Sequence, residues 1–460
     1  MSLIDSADPR PLHFMGIAGA GMSALAELCQ RRGAVVTGCD QNPSGAPDLA
    51  GLGIPVSEGH DAAHVEGHRA LVVSSAIPKD HPEIARAHAL GIPVIRRAEA
   101  LAEATAGGTL IGIAGTHGKS TTTVMTTEAL AAAGINPTGV VGARVASWKG
   151  NLSNGGNDVF VVEADEYDRS FLALKPDVAV VTNVEADHLD IYRDLDDVRA
   201  AFTQFVGGAR WIVLCADQQH ANALHTPASA EVVRYGVASM EARLVARNIE
   251  TRDGRTSFDV HYDGKPSGRV AIGAVGEHNV LNALAALGVG LARFGVTVEQ
   301  MAPGLANFTG AERRFQRLGT VRGVTIVDDY AHHPTEIRAT LSAARLAFPG
   351  RRIIVAFQPH LFSRTRDFAG DFGLALAKAD QLFLGEIYPA REKPIAGVTS
   401  QLIADSLTIA GRRPAWMGTR SSLAPALAAF VKDGDVVLTV GAGDITKTGP
   451  ELLALLGAAG

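Results

Sequence analysis

Short apolar runs that end in glycine-rich or acidic turns, each followed by an Ala/Leu-rich stretch, recur along this 460-residue chain. TLIGIAG at 109–115, DVFVVEAD at 158–165 and PDVAVVTNVEADH at 176–188 are examples. Such runs are too short for helices and rich in β-branched residues. They read as strands buried on both faces, with crossover helices between them. That alternation restricts the chain to α/β layers on mostly parallel sheets. It also says where chemistry belongs, because ligands of open parallel sheets sit beyond the strand carboxyl ends.

The pattern breaks twice. Small residues in TAGG at 105–108 suggest a linker, and a fresh set of strand-like runs begins near Arg317. Three domains are expected: 1–107, Rossmann-like; 108–316, a P-loop ATPase domain; and 317–460, Rossmann-like again. The central domain should combine a mostly parallel sheet with antiparallel hairpins. Its segment 242–272 alternates apolar and polar residues around Asp-Gly at 253–254 and 263–264, the residues that two-residue hairpin turns favour. VTIVDDY, RIIVAFQPH, DQLFLGEIY and DVVLTVGAGD should supply four strands of the last domain.

The strongest chemical signal is GTHGKST at 115–121. The common P-loop pattern would want glycine at 113, where this chain has Ile113. Gly115, Thr116, His117 and Gly118 still suit a turn whose backbone N–H groups face phosphate oxygens. Lys119 can neutralise the outer phosphates, and Ser120 can ligate magnesium. Glu163 and His188 fall at the ends of neighbouring strands, so they are expected to meet Ser120 around metal ions. Asp165, Glu166, Asp168, Glu185 and Asp187 crowd the same turns.

GIAGAG at 16–21 is a dinucleotide-type turn with Ala18 where the middle glycine belongs, and Asp40 ends the next strand. This suits a nucleotide diphosphate, and the residues leave a UDP-sugar and NAD equally open. In the third block, DDYAHHPTEI at 328–337 and FQPHLFSRTRD at 357–367 place polar residues at strand ends. A metal site, a helix cap by His332 and a catalytic or substrate-orienting role all remain open there. Arg364 and Arg366 can clamp a carboxylate.

Net charge is −6 and aromatics are 5% of the chain. That argues against nucleic acid, whose single strands need stacking platforms, and against anionic membranes. Cys29, Cys39 and Cys215 lie far apart with no metal-ligand spacing, so a reducing compartment is expected. The polar N-terminus lacks an apolar signal core and no apolar run reaches membrane-spanning length. A cytoplasmic protein is expected, as monomer or homodimer.

GTHGKST, EADEYD, NVEADH, GEHNVLNALAA, ERRF, DDYAHHPTEI and FQPHLFSRTRD occur in this order over nearly the whole chain. Together they closely resemble the ATP-dependent Mur ligases of bacterial cell-wall synthesis, whose loop reads G-T-x-G-K-[ST]. The resemblance is strongest to the alanine-adding branch. It implies a UDP-substrate domain, a central ATPase domain and a C-terminal amino-acid-binding domain. It implies an ATP- and Mg2+-dependent ligation of L-alanine to the lactoyl carboxylate of UDP-N-acetylmuramate through an acyl phosphate.

By the same resemblance, Ser120 and Glu163 are ligands of the ATP-linked magnesium and His188 of a second ion. Thr121, His278, Asn279 and Asn282 belong to nucleotide binding, and Arg314 reaches the phosphates. Asp329 and His332 approach the reaction centre. Tyr330, His360 and Arg364 form the amino-acid pocket. Gly19, Ala20, Gly21 and Met22 form the UDP-binding turn, with Asp40 and Ser75 beside it. Sibling ligases often carry a modified lysine after the metal-binding histidine. Here no lysine occurs from Leu189 to Gly264, which suits the alanine-adding branch.

Overall fold

The computed structural model describes residues 3–4, 7–390 and 392–458. It contains three sheets, and the strand-like runs quoted above are all strands. The first sheet has five parallel strands in the spatial order Val56–Glu58, Val36–Asp40, Leu12–Met15, Ala70–Val73, Val94–Arg96. Chain direction across the sheet reverses between Leu12–Met15 and Ala70–Val73. Ligands of such sheets sit beyond the strand carboxyl ends at this switch point. The turn Gly16–Met22 follows the first of these strands, and exposed Ser75 follows the second.

The second sheet has ten strands. Thr109–Ala114 lies in its parallel centre, between Val159–Glu163 and Val178–Val181. Ile113 is level with Glu163 and Ala114 with Val181, so three strand ends converge beside residue 115. At one edge, Leu244–Arg252, Arg255–Tyr262 and Lys265–Ile272 follow one another through two-residue links. Asp253, Gly254, Asp263 and Gly264 all have positive φ, 51°, 74°, 50° and 75°. These are the mirror-image turns expected of Asp-Gly.

The third sheet has six strands rather than four, in the order Gln316–Val321, Val324–Asp329, Val436–Val440, Ile353–Phe357, Gln381–Gly385, Trp416–Gly418. The two extra strands lie at its edges and are only partly buried. They lack the continuous apolar run that betrays an interior strand.

Three sheets form two compact units. The first is Met1–Ile249, Ser257–Ile272 and Val280–Thr309; the second is Glu250–Thr256, Gly273–Asn279 and Gly310–Gly460. The first two sheets share a unit because the helix Ala20–Arg31 packs on the strands Thr138–Val145 and Gly150–Ser153. Asn151 Nδ2 donates to the carbonyl of Ala20 (2.9 Å), Arg97 pairs with Asp165 (3.3 Å) and Arg144 pairs with Asp48.

Among the described residues no helix is long and apolar enough to cross a membrane. Cys29, Cys39 and Cys215 are free and buried.

Candidate active site

The helix Lys119–Ala132 begins directly at the phosphate-type loop, and its N-cap is Gly118 at φ +81° with no side-chain cap. Its first N–H groups are therefore left to an anion, which the helix dipole also favours. The helix is buried on most faces, although it carries five threonines in its 14 residues. Thr123 and Thr127 satisfy their hydroxyls by bonding back to the carbonyls of Lys119 (2.9 Å) and Thr123 (2.8 Å).

Gly115 is required by close approach. A Cβ there would fall 1.9 Å from Thr182 Oγ1, and its φ is +145°. At Gly118 a Cβ would fall 2.7 Å from Asn282 Oδ1, which also accepts from Thr122 Oγ1 at 3.1 Å. Asn282 is thus brought to the loop as expected. His278 and Asn279 belong to the second unit, where Asn279 Nδ2 donates to Val275 O at 2.8 Å. Burial pulls the His278 imidazole down to about 4.

Loop shape is held by groups that sequence reasoning did not single out. Asn183 Oδ1 accepts from the His117 N–H (2.7 Å), while Thr182 Oγ1 and Asn183 Nδ2 donate to His117 O at 2.6 and 3.0 Å. Thr116 Oγ1 accepts from the Glu185 N–H (2.9 Å). The available signal was the polar pair Thr182–Asn183 at the end of an otherwise apolar strand.

Ser120 Oγ donates to Glu163 Oε1 at 2.8 Å, and Glu163 Oε2 accepts from the Gly142 N–H at 2.6 Å. The expected Ser120–Glu163 pair is formed. His188 instead faces Glu166, with Nε2 3.6 Å from Oε1. Glu166 is the central acid of the site, although it read as one of several crowded carboxylates. It is 2% exposed and lies 2.7 Å from Lys119 Nζ. Tyr192 Oη pins its backbone by donating to Glu166 O at 2.7 Å.

Lys119 Nζ also donates to the carbonyl of Gly115 (2.7 Å). Burial pulls the Lys119 ammonium down, but Glu166, Asp165 and Glu163 outweigh it, so its pKa lies above the ordinary lysine value. Burial pushes Glu166 up, yet Lys119 and His188 bring it below the usual carboxylate value. Both groups are therefore charged at neutral pH. His188, Asp168 and Arg169 carry positive φ of 53°, 54° and 54°.

In the first sheet, Gly19 is the N-cap of the helix that Ala20, Gly21 and Met22 begin. Asp40 accepts from the Ala18 N–H (2.9 Å) and the Asn42 N–H (2.8 Å), one on each carboxylate oxygen. It shapes the turn. The Ala18 methyl lies against the core and near Gly45.

The second unit assembles its own cluster. Asp329 ends a central strand at 8% exposure. It accepts from the N–H groups of Ala331 and Phe315, both at 2.8 Å, and from Thr340 Oγ1 at 3.1 Å. Burial pushes it up to about 6 against these donors. Asp328 accepts from Thr439 Oγ1 (2.6 Å) and Thr446 Oγ1 (2.9 Å) and pairs with Arg313 (3.2 Å). Both aspartates are spent on protein donors, which counts against a metal site here.

The helix Pro334–Ala347 is capped by His333, not by His332, and Glu336 Oε2 accepts from both backbone N–H groups at 3.2 and 2.9 Å. His332 is left to the cluster. Its ring lies 5.2 Å from Tyr330 and 5.9 Å from His360, and His360 Nδ1 is 3.3 Å from Arg364 Nη1. The Arg314 guanidinium lies 5.1 Å over Tyr330. Arg314, Tyr330, His332, His360 and buried Arg364 are thus brought together.

Comparison with known proteins agrees with this layout. The family models "Mur ligase family, catalytic domain", "Mur ligase middle domain" and "Mur ligase, glutamate ligase domain" match residues 11–109, 113–290 and 313–443. A UDP-N-acetylmuramate--L-alanine ligase of Cutibacterium acnes is 44% identical over 99% of this chain and 98% of its own. The enzyme of the same name from an Anaeromyxobacter species is 43% identical over 99% and 100%. A crystal structure of UDP-N-acetylmuramate-alanine ligase from Thermotoga maritima matches with a TM-score of 0.83 at 28% identity, covering 98% of this chain and 100% of that one.

Proposed function

The chain belongs to the Mur ligase family, and from that premise we propose that it joins L-alanine to the lactoyl carboxylate of UDP-N-acetylmuramate at the expense of ATP, in peptidoglycan precursor synthesis. The observation that carries this reading is the loop at 115–120, where Glu166 holds Lys119 cationic and Ser120 meets Glu163. Full-length identity to alanine-adding relatives supports the choice of substrates.

A carboxylate is a poor acyl donor. Its oxygen attacks the γ-phosphorus of ATP, the bond to the β-phosphate oxygen breaks, and ADP leaves with an acyl phosphate formed. The amine of alanine then attacks the acyl carbon, the bond to the phosphate oxygen breaks, and phosphate leaves. Both steps gather negative charge, which fixed cations stabilise. Lys119 is assigned to the transferring phosphoryl group and Arg314 to the same charge. Gly115, Thr116, His117, Gly118, Thr121, His278, Asn279 and Asn282 are assigned to the nucleotide.

Tyr330, His360 and Arg364 are assigned to alanine, with Arg364 on its carboxylate. His332 Nδ1 lies 3.1 Å from the Tyr330 carbonyl and 3.3 Å from Glu336 Oε2, both of which accept, so Nδ1 carries a hydrogen. His332 and Asp329 are assigned to the reaction centre, where the attacking amine must lose a proton. Gly19, Ala20, Gly21, Met22, Asp40 and Ser75 are assigned to the UDP substrate, Asp40 through the backbone it shapes.

Hydroxyl and carboxylate oxygens suit a hard cation, so Ser120 and Glu163 fit magnesium. His188, beside Glu166, is assigned to a second ion. Magnesium would supply neutralisation of the phosphate charge. Residues 1–107, 108–316 and 317–460 are taken as the UDP-substrate, ATP and amino-acid domains, a division the three family matches support. Cytoplasmic placement follows from ATP and a UDP-linked substrate.

The test is phosphate release with Mg-ATP and UDP-N-acetylmuramate, adding L-alanine, glycine, L-serine or the L-alanyl-γ-D-glutamyl-meso-diaminopimelate tripeptide singly, with product mass checked. Release with L-alanine and a product heavier by one alanine residue is expected. Activity with the tripeptide alone would move the chain to a recycling ligase. Arg364→Ala should raise KM for alanine about 100-fold and leave that for ATP within a few-fold; equal rises would remove Arg364 from the amino-acid pocket.

A further inference from the structure

The face of the first sheet away from the main core carries a polar cluster that the ligase chemistry does not use. Strand alternation places it there. His13 is level with Thr37, and Met15 with Cys39, so His13, Thr37 and Cys39 point to one side. The helix Pro82–Ala89 and the turn Ala62–Val65 pack on each other over that side, among Val65, Leu71, Ile84 and Ala87.

Into this small apolar layer they bring Glu83 and His64. Glu83 is 0% exposed, Cys39 0% and His13 2%. Cys39 Sγ lies 3.4 Å from Glu83 Oε1 and 3.2 Å from His60 Nδ1. His64 Nδ1 and His60 Nδ1 each lie 3.5 Å from Glu83 Oε1.

Among the described residues no lysine or arginine pairs with Glu83. A buried carboxylate without a fixed cation is costly, and an unpaired buried nitrogen adds to that. His13 Nε2 is such a nitrogen: it is buried with no hydrogen-bond partner. Its Nδ1 is held 2.9 Å from Thr37 Oγ1, which in turn lies 2.9 Å from His68 Nε2. A ring nitrogen fixed by an outer hydrogen bond, with the other presented inward, is how protein metal ligands are oriented. Ligand atoms of His13, Cys39, His64 and Glu83 all lie within 4.8 Å of one another.

We propose that His13, Cys39, His64 and Glu83 form a structural site for a borderline-soft divalent cation of the zinc class. Imidazole, thiolate and carboxylate together select zinc over magnesium. Tetrahedral zinc needs ligand atoms about 3.3–3.8 Å apart, so the cluster must contract by about 1 Å on binding. The cation would tie the strand before the turn at Gly16 to the strand that ends at Asp40, stiffening the UDP-binding turn from behind.

The test uses the full chain after chelator treatment, titrated with Co2+ and followed by absorption. One equivalent should produce a near-ultraviolet thiolate-to-cobalt band with visible bands of tetrahedral cobalt. Zn2+ should abolish both, and millimolar Mg2+ should not. Cys39→Ser should lose the near-ultraviolet band. If that variant fails to fold, Cys29→Ser and Cys215→Ser each keeping the band assigns it to Cys39. His64→Gln should weaken binding at least tenfold. Absence of the band from the unmodified chain, or its survival in folded Cys39→Ser, overturns the site.

Discussion

The turn Gly16–Met22 and the loop Gly115–Ser120 each follow a buried parallel strand and each open a helix. They differ in what surrounds them. Around the loop, Lys119 is fixed by a buried carboxylate and Ser120 by a second acid, and Thr116 and His117 are tied to the next strand. The first turn holds no charged side chain of its own; Arg97, which pairs with Asp165, lies against Gly21, and Asp40 serves the turn through backbone N–H groups. The loop thus carries its cation and acids within the helix start and the strand ends where charge must develop in a reaction. The first turn offers backbone N–H groups and one neighbouring guanidinium, which suit a diphosphate that is only held. The account therefore assigns rate to the loop and affinity to the turn.

The sharpest way to break this comparison is Lys119→Met. At saturating substrates kcat should fall about 1000-fold, as for loss of a transition-state charge partner. Phosphate release within a few-fold of the unmodified enzyme would take phosphoryl transfer away from the loop.

Glu166→Gln keeps the shape and removes the charge that holds Lys119. A fall in kcat of about 10- to 100-fold is expected. Denaturant unfolding should show a loss of about 3 kcal/mol, because breaking one side of a buried pair strands the other. Unchanged values in both would make the pair incidental.

Asp40→Asn tests the other side. An amide oxygen can accept as the carboxylate does, but its NH2 faces an N–H. KM for UDP-N-acetylmuramate should rise about tenfold with kcat nearly constant. A matching fall in kcat would erase the distinction between the turn and the loop.

The last effect concerns pH and bears on stability rather than on turnover. Burial raises Asp329 from 3.8 to about 6. Between those values the folded chain holds a proton that the unfolded chain has lost. Asp329 therefore lowers stability as pH rises from about 4 to about 6, by about 3 kcal/mol. Urea unfolding across that window should show this slope in the unmodified chain and not in Asp329→Asn. Equal slopes would remove the residue from the balance.

Much of this was legible because strand ends carry the chemistry. Glu163 and Asp329 end apolar runs, Lys119 follows one, and the Asp-Gly pairs marked their own turns. The role of Glu166 was not legible, since five crowded carboxylates looked alike until the 2.7 Å contact with Lys119 singled one out. His333 takes the helix cap, one of the readings left open for His332, because the helix starts at Pro334, immediately after it. Gln316–Val321 and Trp416–Gly418 were missed because edge strands need no apolar run. His13, Cys39, His64 and Glu83 share no spacing at all; only the pleat and the covering helix bring them together.

The central claim is tested most directly by calorimetric titration of UDP-N-acetylmuramate into Lys119→Met. The account predicts a Kd within about twofold of the unmodified enzyme's in a protein that releases almost no phosphate. A large loss of affinity for the UDP substrate would contradict it, because the loop would then be holding the ligand assigned to the first turn.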